Sequence, residues 1–172
     1  NTVVMRVDGF AMMPNFSFGT AMTTYAGQNV GAGKFDRVSK GAKQGTLIAV
    51  LCSTIITAII LIFGKYLMAI FTETASLVEY SAKLMRILAV GYIAMAVTQS
   101  LQGVMRGAGD TTTPMVISII TSVLLRVPLA YTMVYLSRSP EHPIGRPEYM
   151  QISLVITWLT GALLTALFYR WG

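Results

Sequence analysis

The stretch TLIAVLCSTIITAIILIF at positions 46–63 contains no charged residue, and it decides the fold. A helix of about 20 mainly apolar residues is long enough to cross the ~30 Å hydrocarbon layer of a bilayer. Four other runs have the same character, and the five together cover positions 9–33, 44–64, 87–105, 111–137 and 149–169 with a single charge. The sequence therefore predicts an all-α polytopic membrane protein with five transmembrane helices.

The composition of the whole chain supports this prediction. Of its 172 residues, 54% are hydrophobic and 12% are charged, with a mean hydropathy of +0.63. About a quarter of a soluble domain would be charged, so positions 1–172 are predicted to form a single membrane domain. Its spans are expected at about 2–31, 44–70, 77–105, 114–136 and 148–170. An odd number of spans, and a first residue that is Asn1 instead of methionine, suggest a piece of a larger protein.

The basic residues predict the orientation of the chain. The net charge is +6, but the Lys and Arg residues are spread between the apolar runs, which favours contact with lipid headgroups and excludes a nucleic-acid partner. Four of them crowd into the predicted first loop, positions 34–43, and they are Lys34, Arg37, Lys40 and Lys43. The positive-inside rule places this loop in the cytoplasm, and with it the C-terminus.

One charge interrupts the fourth apolar run. Arg126 lies about twelve residues from either end, roughly 18 Å deep, where an arginine is unfavourable by a few kcal/mol unless it faces protein or water. Pro128 removes a backbone hydrogen bond two residues later, so a bend is expected at the charge. Arg126 is therefore either part of an internal cavity or a structural residue held by neighbouring carbonyl groups.

Polar and sulfur-containing residues of the third span share one helical face. They recur every three or four positions, and they are Tyr92, Met95, Gln99, Gln102 and Arg106. This face is predicted to meet a polar interior, where its side chains either contact a substrate or form a hydrogen-bonded seam with another helix.

The first span shows a related pattern. Asp8, Met12 and Asn15 share one face, and Met13 and Phe16 lie beside them near a proline. Methionine and aromatic side chains suit a cavity that accepts varied apolar ligands, although plain helix packing gives the same spacing. The cavity candidates on this span are Met12, Met13, Asn15 and Phe16.

Two glycine pairs predict close contacts between helices. Gly27 and Gly31, and likewise Gly103 and Gly107, have the four-residue spacing at which membrane helices approach each other closely.

Side chains for catalysis or metal binding do not cluster in the sequence. His142 is the only histidine, Cys52 is the only cysteine and lies in an apolar run, and no carboxylate pair has metal-ligand spacing within a span. The sequence therefore predicts neither an enzyme nor a resident metal or organic cofactor.

Three motifs of the chain resemble those of the multidrug and toxic compound extrusion (MATE) transporters. They are TYAGQNVGAGKFDR at positions 24–37, QGVMRGAGDT at 102–111 and LRVPLAY at 125–131, in matching order and spacing. The motif residues singled out are Gly27, Gln28, Gly31, Gly103, Arg106, Gly107, Asp110 and Pro128. The resemblance covers nearly the whole chain and implies that its spans are helices eight to twelve, most of the six-helix C-terminal lobe.

The resemblance also implies a function. Such a protein would be a secondary antiporter of the plasma membrane that exports cationic or amphiphilic compounds by alternating access, driven by a proton or sodium gradient and without a cofactor. Its partners would be these small molecules, the lipid bilayer and an N-terminal lobe that this sequence does not include. A lipid-linked oligosaccharide flippase of the same larger fold group, or a non-transporting membrane scaffold, is the alternative.

The resemblance narrows the candidates for ion coupling. In one branch of the family the helix that corresponds to the third span carries a carboxylate, and alignment through positions 106–110 places Met95 there. Coupling would then fall to the absent lobe or to Asp8, the only carboxylate in or beside the first span. Asp8 either takes up protons or forms a structural ion pair with Arg6.

Overall fold

The computed structural model describes residues 2–71, 74–138 and 146–171, with side chains from residue 4 to residue 170 within these ranges. In these ranges there is no strand, and the predicted all-α fold is confirmed by five helices: α1 (Thr2–Gly31), α2 (Phe35–Ala69), α3 (Ala75–Gly107), α4 (Thr112–Leu136) and α5 (Pro147–Trp171). Helices α2 to α5 are long and apolar enough to cross a bilayer. Helix α1 is 30 residues long and does not reach the mean hydropathy of these four.

The central helix of the bundle is α3. It packs against α1 and α2 on one side and against α5 on the other, while α4 rests mainly on α5. Within the described ranges, α1 and α4 have no backbone contact with each other. The main core consists of buried side chains from α1, α2 and α3: Val4, Val7, Ala11, Met12, Ile60, Met68, Ala82, Leu84, Met85, Leu88, Ala89 and Tyr92.

Glycines bring the backbones of α1 and α3 into contact. A Cβ atom on Gly103 would collide with the carbonyl oxygen of Gly19, and one on Gly107 would collide with the carbonyl oxygen of Thr23. A Cβ atom on Gly27 would lie 3.4 Å from the Gly107 carbonyl oxygen. Small residues permit this approach, which supplies the van der Waals contact that holds membrane helices together. The close contact predicted for Gly27, Gly103 and Gly107 is thus present.

One glycine of the predicted pairs takes no part in this contact. Nothing lies within 4 Å of the position that a Cβ atom on Gly31 would occupy. Gly19 takes its place, because it lies eight residues before Gly27 and so faces α3 from the same side of α1.

Helices α1 and α3 end in the same kind of glycine turn. Gly33 (φ +69°) and Gly109 (φ +97°) adopt the left-handed conformation that favours glycine. The N–H groups of the residues that follow, Lys34 and Asp110, donate to carbonyl oxygens five positions back at 2.8 and 3.0 Å, which satisfies the helix ends. The Asp110 carboxylate also accepts the N–H of Thr113 at 3.0 Å, and its hydrogen bonds to Thr113 hold the pKa of Asp110 below its usual range.

The basic segment predicted as the first loop is helical. Helix α2 begins at Phe35, so the loop prediction for positions 34–43 is wrong. Charged residues interrupt the apolar pattern there, but no proline interrupts the backbone hydrogen bonds, and the basic side chains are exposed. The hydroxyl of Tyr25 donates to the carbonyl oxygen of Arg37 at 2.9 Å and fastens this helical extension to α1.

Other predicted boundaries hold to within a few residues. Helix α3 begins at Ala75, two residues before the predicted 77, and Pro147 is the first residue of α5, where its missing N–H is not needed. His142, in the predicted last loop, lies outside the described residues.

The middle of α4 is a π-helical turn. Residues Ile120–Leu125 form it, and regular α-helix resumes at Arg126. Pro128 has no N–H to donate, and its ring crowds the carbonyl group one turn earlier, so a wider turn before it relieves both problems. The distortion expected at the charge thus lies just before it and takes the form of a π turn.

Candidate transport site

Tyr92 connects α1, α3 and α5 at the centre of the core. Its side chain is fully buried, its hydroxyl donates to Asp8 Oδ1 at 2.8 Å, and its carbonyl oxygen accepts from Asn15 Nδ2 at 3.2 Å. Its ring centroid lies 6.0 Å from that of Trp158. Asp8 and Asn15, which share a face of α1, therefore both bond to a single residue of α3.

Asp8 has no cationic partner in the described part of the chain. The ion pairs found there join Lys and Glu side chains and include neither Asp8 nor Arg6. The structural pair that was one expectation for Arg6 is therefore not formed. Within the same ranges, no three His, Cys, Asp or Glu side chains converge as metal ligands. Asp8 is a half-buried carboxylate whose hydrogen bond comes from a tyrosine hydroxyl.

A polar cavity of about 190 Å³ lies between α3, α4 and α5. It brings together the predicted residues Met95, Gln99, Gln102 and Arg126, whereas Arg106 lies in the last turn of α3 and outside it. Of the described residues that line it, Arg126 is the only charged one. The complete lining is Met95, Thr98, Gln99, Gln102, Ile117, Ser118, Thr121, Ser122, Arg126, Thr157, Trp158 and Gly161.

Arg126 also borders two other cavities. One, of about 190 Å³, lies among α1, α3, α4 and α5, and Asp8 lines it as well without forming an ion pair with Arg126. The other, of about 470 Å³, is an open and mainly apolar groove along α4. This groove is lined by Ser122, Arg126, Val127, Ala130, Tyr131, Val134, Tyr135, Arg138 and Met150.

The guanidinium of Arg126 has no hydrogen-bond or ion-pair partner among the described residues. An arginine stays charged in proteins and carries five N–H donors, and at membrane depth such a group needs a partner or water. No carbonyl group of the described helices holds it, which disfavours the purely structural interpretation. Arg126 thus offers a permanent positive charge to whatever enters any of the three cavities.

The hydroxyl groups of the polar cavity fall into two sets. Thr98, Thr121 and Thr157 each donate to a carbonyl oxygen one turn earlier in their own helix, at 2.8 to 3.0 Å. The hydroxyls of Ser118 and Ser122 make no hydrogen bond to the described residues. The threonines therefore present oxygen acceptors, while the two serines beside Arg126 keep a free donor.

Several predicted cavity residues lie elsewhere. Met12 is 8% exposed and packs in the core, so the packing alternative applies to it. Met13 and Phe16 are 59% and 53% exposed and line none of the three cavities around Arg126. Asn15 and Tyr92 belong to the hydrogen-bonded contact between α1 and α3.

The small hydroxyl residues of the cavity were not among the predicted site residues. Ser118, Ser122 and Arg126 are four residues apart, a spacing that places them on one face of α4, and Thr157 and Gly161 have the same spacing on α5. This spacing was a usable signal, but serine and threonine also occur throughout membrane helices with their hydroxyls bonded to the backbone.

Comparisons with known proteins agree with the fold. The model of the MatE family matches residues 2–132. The solved structure of an inward-facing multidrug resistance MATE family transporter of the MOP superfamily superposes with a TM-score of 0.82 at 17% identity, covering 98% of this chain and 38% of that one.

Curated relatives are similar to this chain over nearly its whole length. The probable multidrug resistance protein NorM of Thermotoga maritima is 28% identical over 155 residues, which is 90% of this chain and 31% of that protein. The probable multidrug resistance protein YpnP of Bacillus subtilis is 28% identical over 169 residues, 98% of this chain and 36% of that protein. The chain therefore spans about a third of the length of the curated relatives it matches.

Proposed function

This chain belongs to the MatE family, and we propose that it forms helices eight to twelve of a secondary transporter that exports cationic or amphiphilic compounds by antiport against a proton or sodium gradient. The multidrug resistance names of its relatives support this substrate class, and the length and apolarity of α2 to α5 support a multi-pass membrane location. In this proposal α1 also crosses the membrane, in addition to α2 to α5, and a further lobe completes the transport pathway.

One observation carries the proposal: Arg126 stands unpaired where three cavities meet. A charge at membrane depth without a protein partner belongs in a space that water or a ligand fills. The backbones of α1 and α4 have no contact within the described residues, and a cavity lined by Asp8 and Arg126 lies between these helices. A protein built only as a scaffold would gain nothing from an unpaired charge there.

Asp8 is the coupling residue in this proposal, with protons favoured over sodium. A sodium ion requires several oxygen ligands, whereas the one side chain that hydrogen-bonds to the Asp8 carboxylate among the described residues is a tyrosine, and the cavity that Asp8 lines also holds the positive charge of Arg126. A carboxyl group can keep a hydrogen bond to Tyr92 whether or not it carries a proton, because the hydroxyl both donates and accepts. Proton uptake at Asp8 therefore does not have to break the contact between α1 and α3.

The orientation follows from the basic residues at the start of α2. Lys34, Arg37, Lys40 and Lys43 are exposed and clustered, which supports the proposal that this end of α2 lies on the cytoplasmic side of the plasma membrane. The C-terminal end of α5 then lies on the same side.

Gradient-driven flux tests the proposal. The complete transporter in liposomes should move ethidium when a proton gradient is imposed, and not when the gradient is collapsed. Residues 1–172 alone are the control and should give no flux, because a single lobe leaves its polar cavities facing lipid. Two results contradict the proposal and favour the flippase or scaffold alternative. One is ethidium movement by the complete protein that depends on neither a proton nor a sodium gradient, and the other is no movement at all.

A further inference from the structure

We propose that the polar cavity and the α4 groove form one binding site for an amphiphile with an acidic head, whose carboxylate or phosphate lies at Arg126 and whose tail lies along α4. This inference rests on the proposed function, and at this site it narrows the amphiphilic substrates of that proposal to those with an acidic head. It concerns the polar cavity between α3, α4 and α5 and the groove that adjoins it.

The charge of the polar cavity selects an anion. Among the described residues, Arg126 is the only charged one that lines this cavity, and none of those that line it is a carboxylate that would attract a cation. The guanidinium has no partner in the described structure, so an anionic group entering the cavity meets donors that are not already bonded. Charge-assisted hydrogen bonds from arginine to a carboxylate or phosphate are among the strongest that proteins make.

Free hydroxyl donors lie on the same helix as the charge. Ser118 and Ser122 precede Arg126 by two turns and one turn of α4, and their hydroxyls are not bonded within the described residues. The hydroxyls of the threonines opposite donate to backbone carbonyl oxygens. An oxyanion at Arg126 therefore finds free hydroxyl donors on α4, and across the cavity it finds the side-chain amide of Gln99, which also has no hydrogen bond within the described residues. The charge and both hydroxyls place the head of the ligand against α4.

The sizes of the two spaces divide the ligand into a head and a tail. Sites for drug-sized molecules usually occupy about 300–1,000 Å³. At about 190 Å³ the polar cavity holds a head group only, while the groove of about 470 Å³ continues from it. Ser122 and Arg126 line both spaces, and the groove then runs past Val127, Ala130 and Val134. This apolar floor accommodates a hydrocarbon tail.

The other arginine of the groove is a poorer site for the head. Arg138 lies 5.2 Å from the ring centroid of Tyr135, so its charge already has a partner, and neither free serine is near it in sequence. It lies twelve residues beyond Arg126, about 18 Å along the helix. Arg138 thus provides a matched control for general attraction of anions to the groove.

Two probes with the same tail and opposite heads test the inference. Binding of radiolabelled dodecyl phosphate and dodecyltrimethylammonium is measured on the complete transporter in nanodiscs of neutral lipid, with empty nanodiscs as background. Dodecyl phosphate should bind at least tenfold more tightly, since a charge-assisted contact is worth about that much. Equal or reversed affinities on the wild-type protein overturn the inference, as does an absence of binding because another helix covers the groove.

Variants then locate the head. Arg126→Gln should weaken dodecyl phosphate binding about tenfold, Arg126→Lys should recover most of it, and Ser122→Ala should weaken it a few-fold. Arg138→Gln, at the far end of the groove, should weaken it clearly less than Arg126→Gln does, and an equal loss in the two variants would contradict the assignment. The wild-type comparison stands even if a variant fails to fold. Ethidium flux with no preference for dodecyl phosphate refutes only this inference, whereas missing ethidium flux refutes the proposed function.

Discussion

The side of α3 that faces α1 and the side that faces α4 and α5 are packed by different means. On the side that faces α1, glycines have no side chain, so the backbones of the two helices are in contact. The polar side chain of Asn15 there is hydrogen-bonded within the protein. Towards α4 and α5, the side chains of α3 surround a polar cavity, and the hydroxyls of Ser118 and Ser122 and the guanidinium of Arg126 remain unbonded in the described structure.

The difference shows how a membrane protein separates structure from function on one helix. Lipid tails are as apolar as leucine, so helices are held together by close contact and by satisfied hydrogen bonds, and the α1 side has both. Free polar groups at membrane depth are unfavourable, and they persist where a ligand or water takes them up. Changes on the α1 side should therefore affect folding, and changes on the cavity side should affect ligands.

The largest expected effect is on the glycine contact. Gly107→Leu should prevent stable folding, because its side chain would collide with the backbone and Ala26 of α1, a cost on the order of 3 kcal/mol or more. Monodisperse protein after detergent extraction, and its thermal unfolding midpoint, measure the effect.

Gly31→Leu is the matched control for this prediction. It inserts the same side chain near the end of the same contact, where nothing lies within 4 Å, and should stay close to wild type. If both variants were equally stable, the close contact of α1 and α3 would not be what holds them together.

A substitution on the cavity side should change thermal stability in the opposite direction from the glycine substitution. Arg126→Leu removes an unpaired charge from membrane depth, so thermal stability should stay the same or rise, by at most a few kcal/mol. The thermal unfolding midpoint of the purified variant, measured without ligand, is the readout. A clear fall in stability would show that Arg126 has a structural partner and would remove the distinction between the two sides.

Asp8 lies where the two sides meet, because it bonds to Tyr92 and also lines a cavity with Arg126. Asp8→Asn keeps a hydrogen-bond acceptor for the tyrosine but cannot take up a proton, so proton-driven ethidium flux should be lost while ethidium binding is retained. Asp36→Asn, an exposed acid at the start of α2, is the control and should transport normally. Unchanged pH-dependent flux in Asp8→Asn would exclude this residue from coupling.

The smallest change tests only which end of this arrangement lies in the cytoplasm. Ser39→Cys, in a Cys52→Ser background, should leave transport unaffected because Ser39 is exposed in the basic extension of α2. It should resist an impermeant thiol reagent applied outside intact cells and react after the cells are opened. Labelling from outside would show that the basic end of α2 faces the outside of the cell and that the proposed orientation is wrong.

The fold was largely predictable, because uninterrupted apolar runs mark membrane helices and glycine spacing marks their contacts. The prediction is wrong at the start of α2, where the charged positions 34–43 predict a loop, although exposed charges are compatible with a helical backbone. Of the cavity, Met95, Gln99 and Gln102 are predicted by one shared helical face, and Arg126 is predicted by a charge inside an apolar run. The rest could not be predicted, since the direction in which Met12 points depends on which helix neighbours it, and the free serines resemble those bonded to the backbone.

The basic extension of α2 has a consequence for how deeply the bundle sits. Its first nine residues, about 13 Å of helix, continue rigidly from the membrane run. Tyr25 contacts this extension at two places. Its hydroxyl donates a hydrogen bond to the Arg37 carbonyl oxygen, and its ring packs against Gly41. Cations fixed at a set distance from an apolar run act as an anchor at the headgroup level. We therefore expect a thinner or thicker bilayer to be accommodated at the opposite ends of the helices, while the end that carries Gly33 keeps its depth.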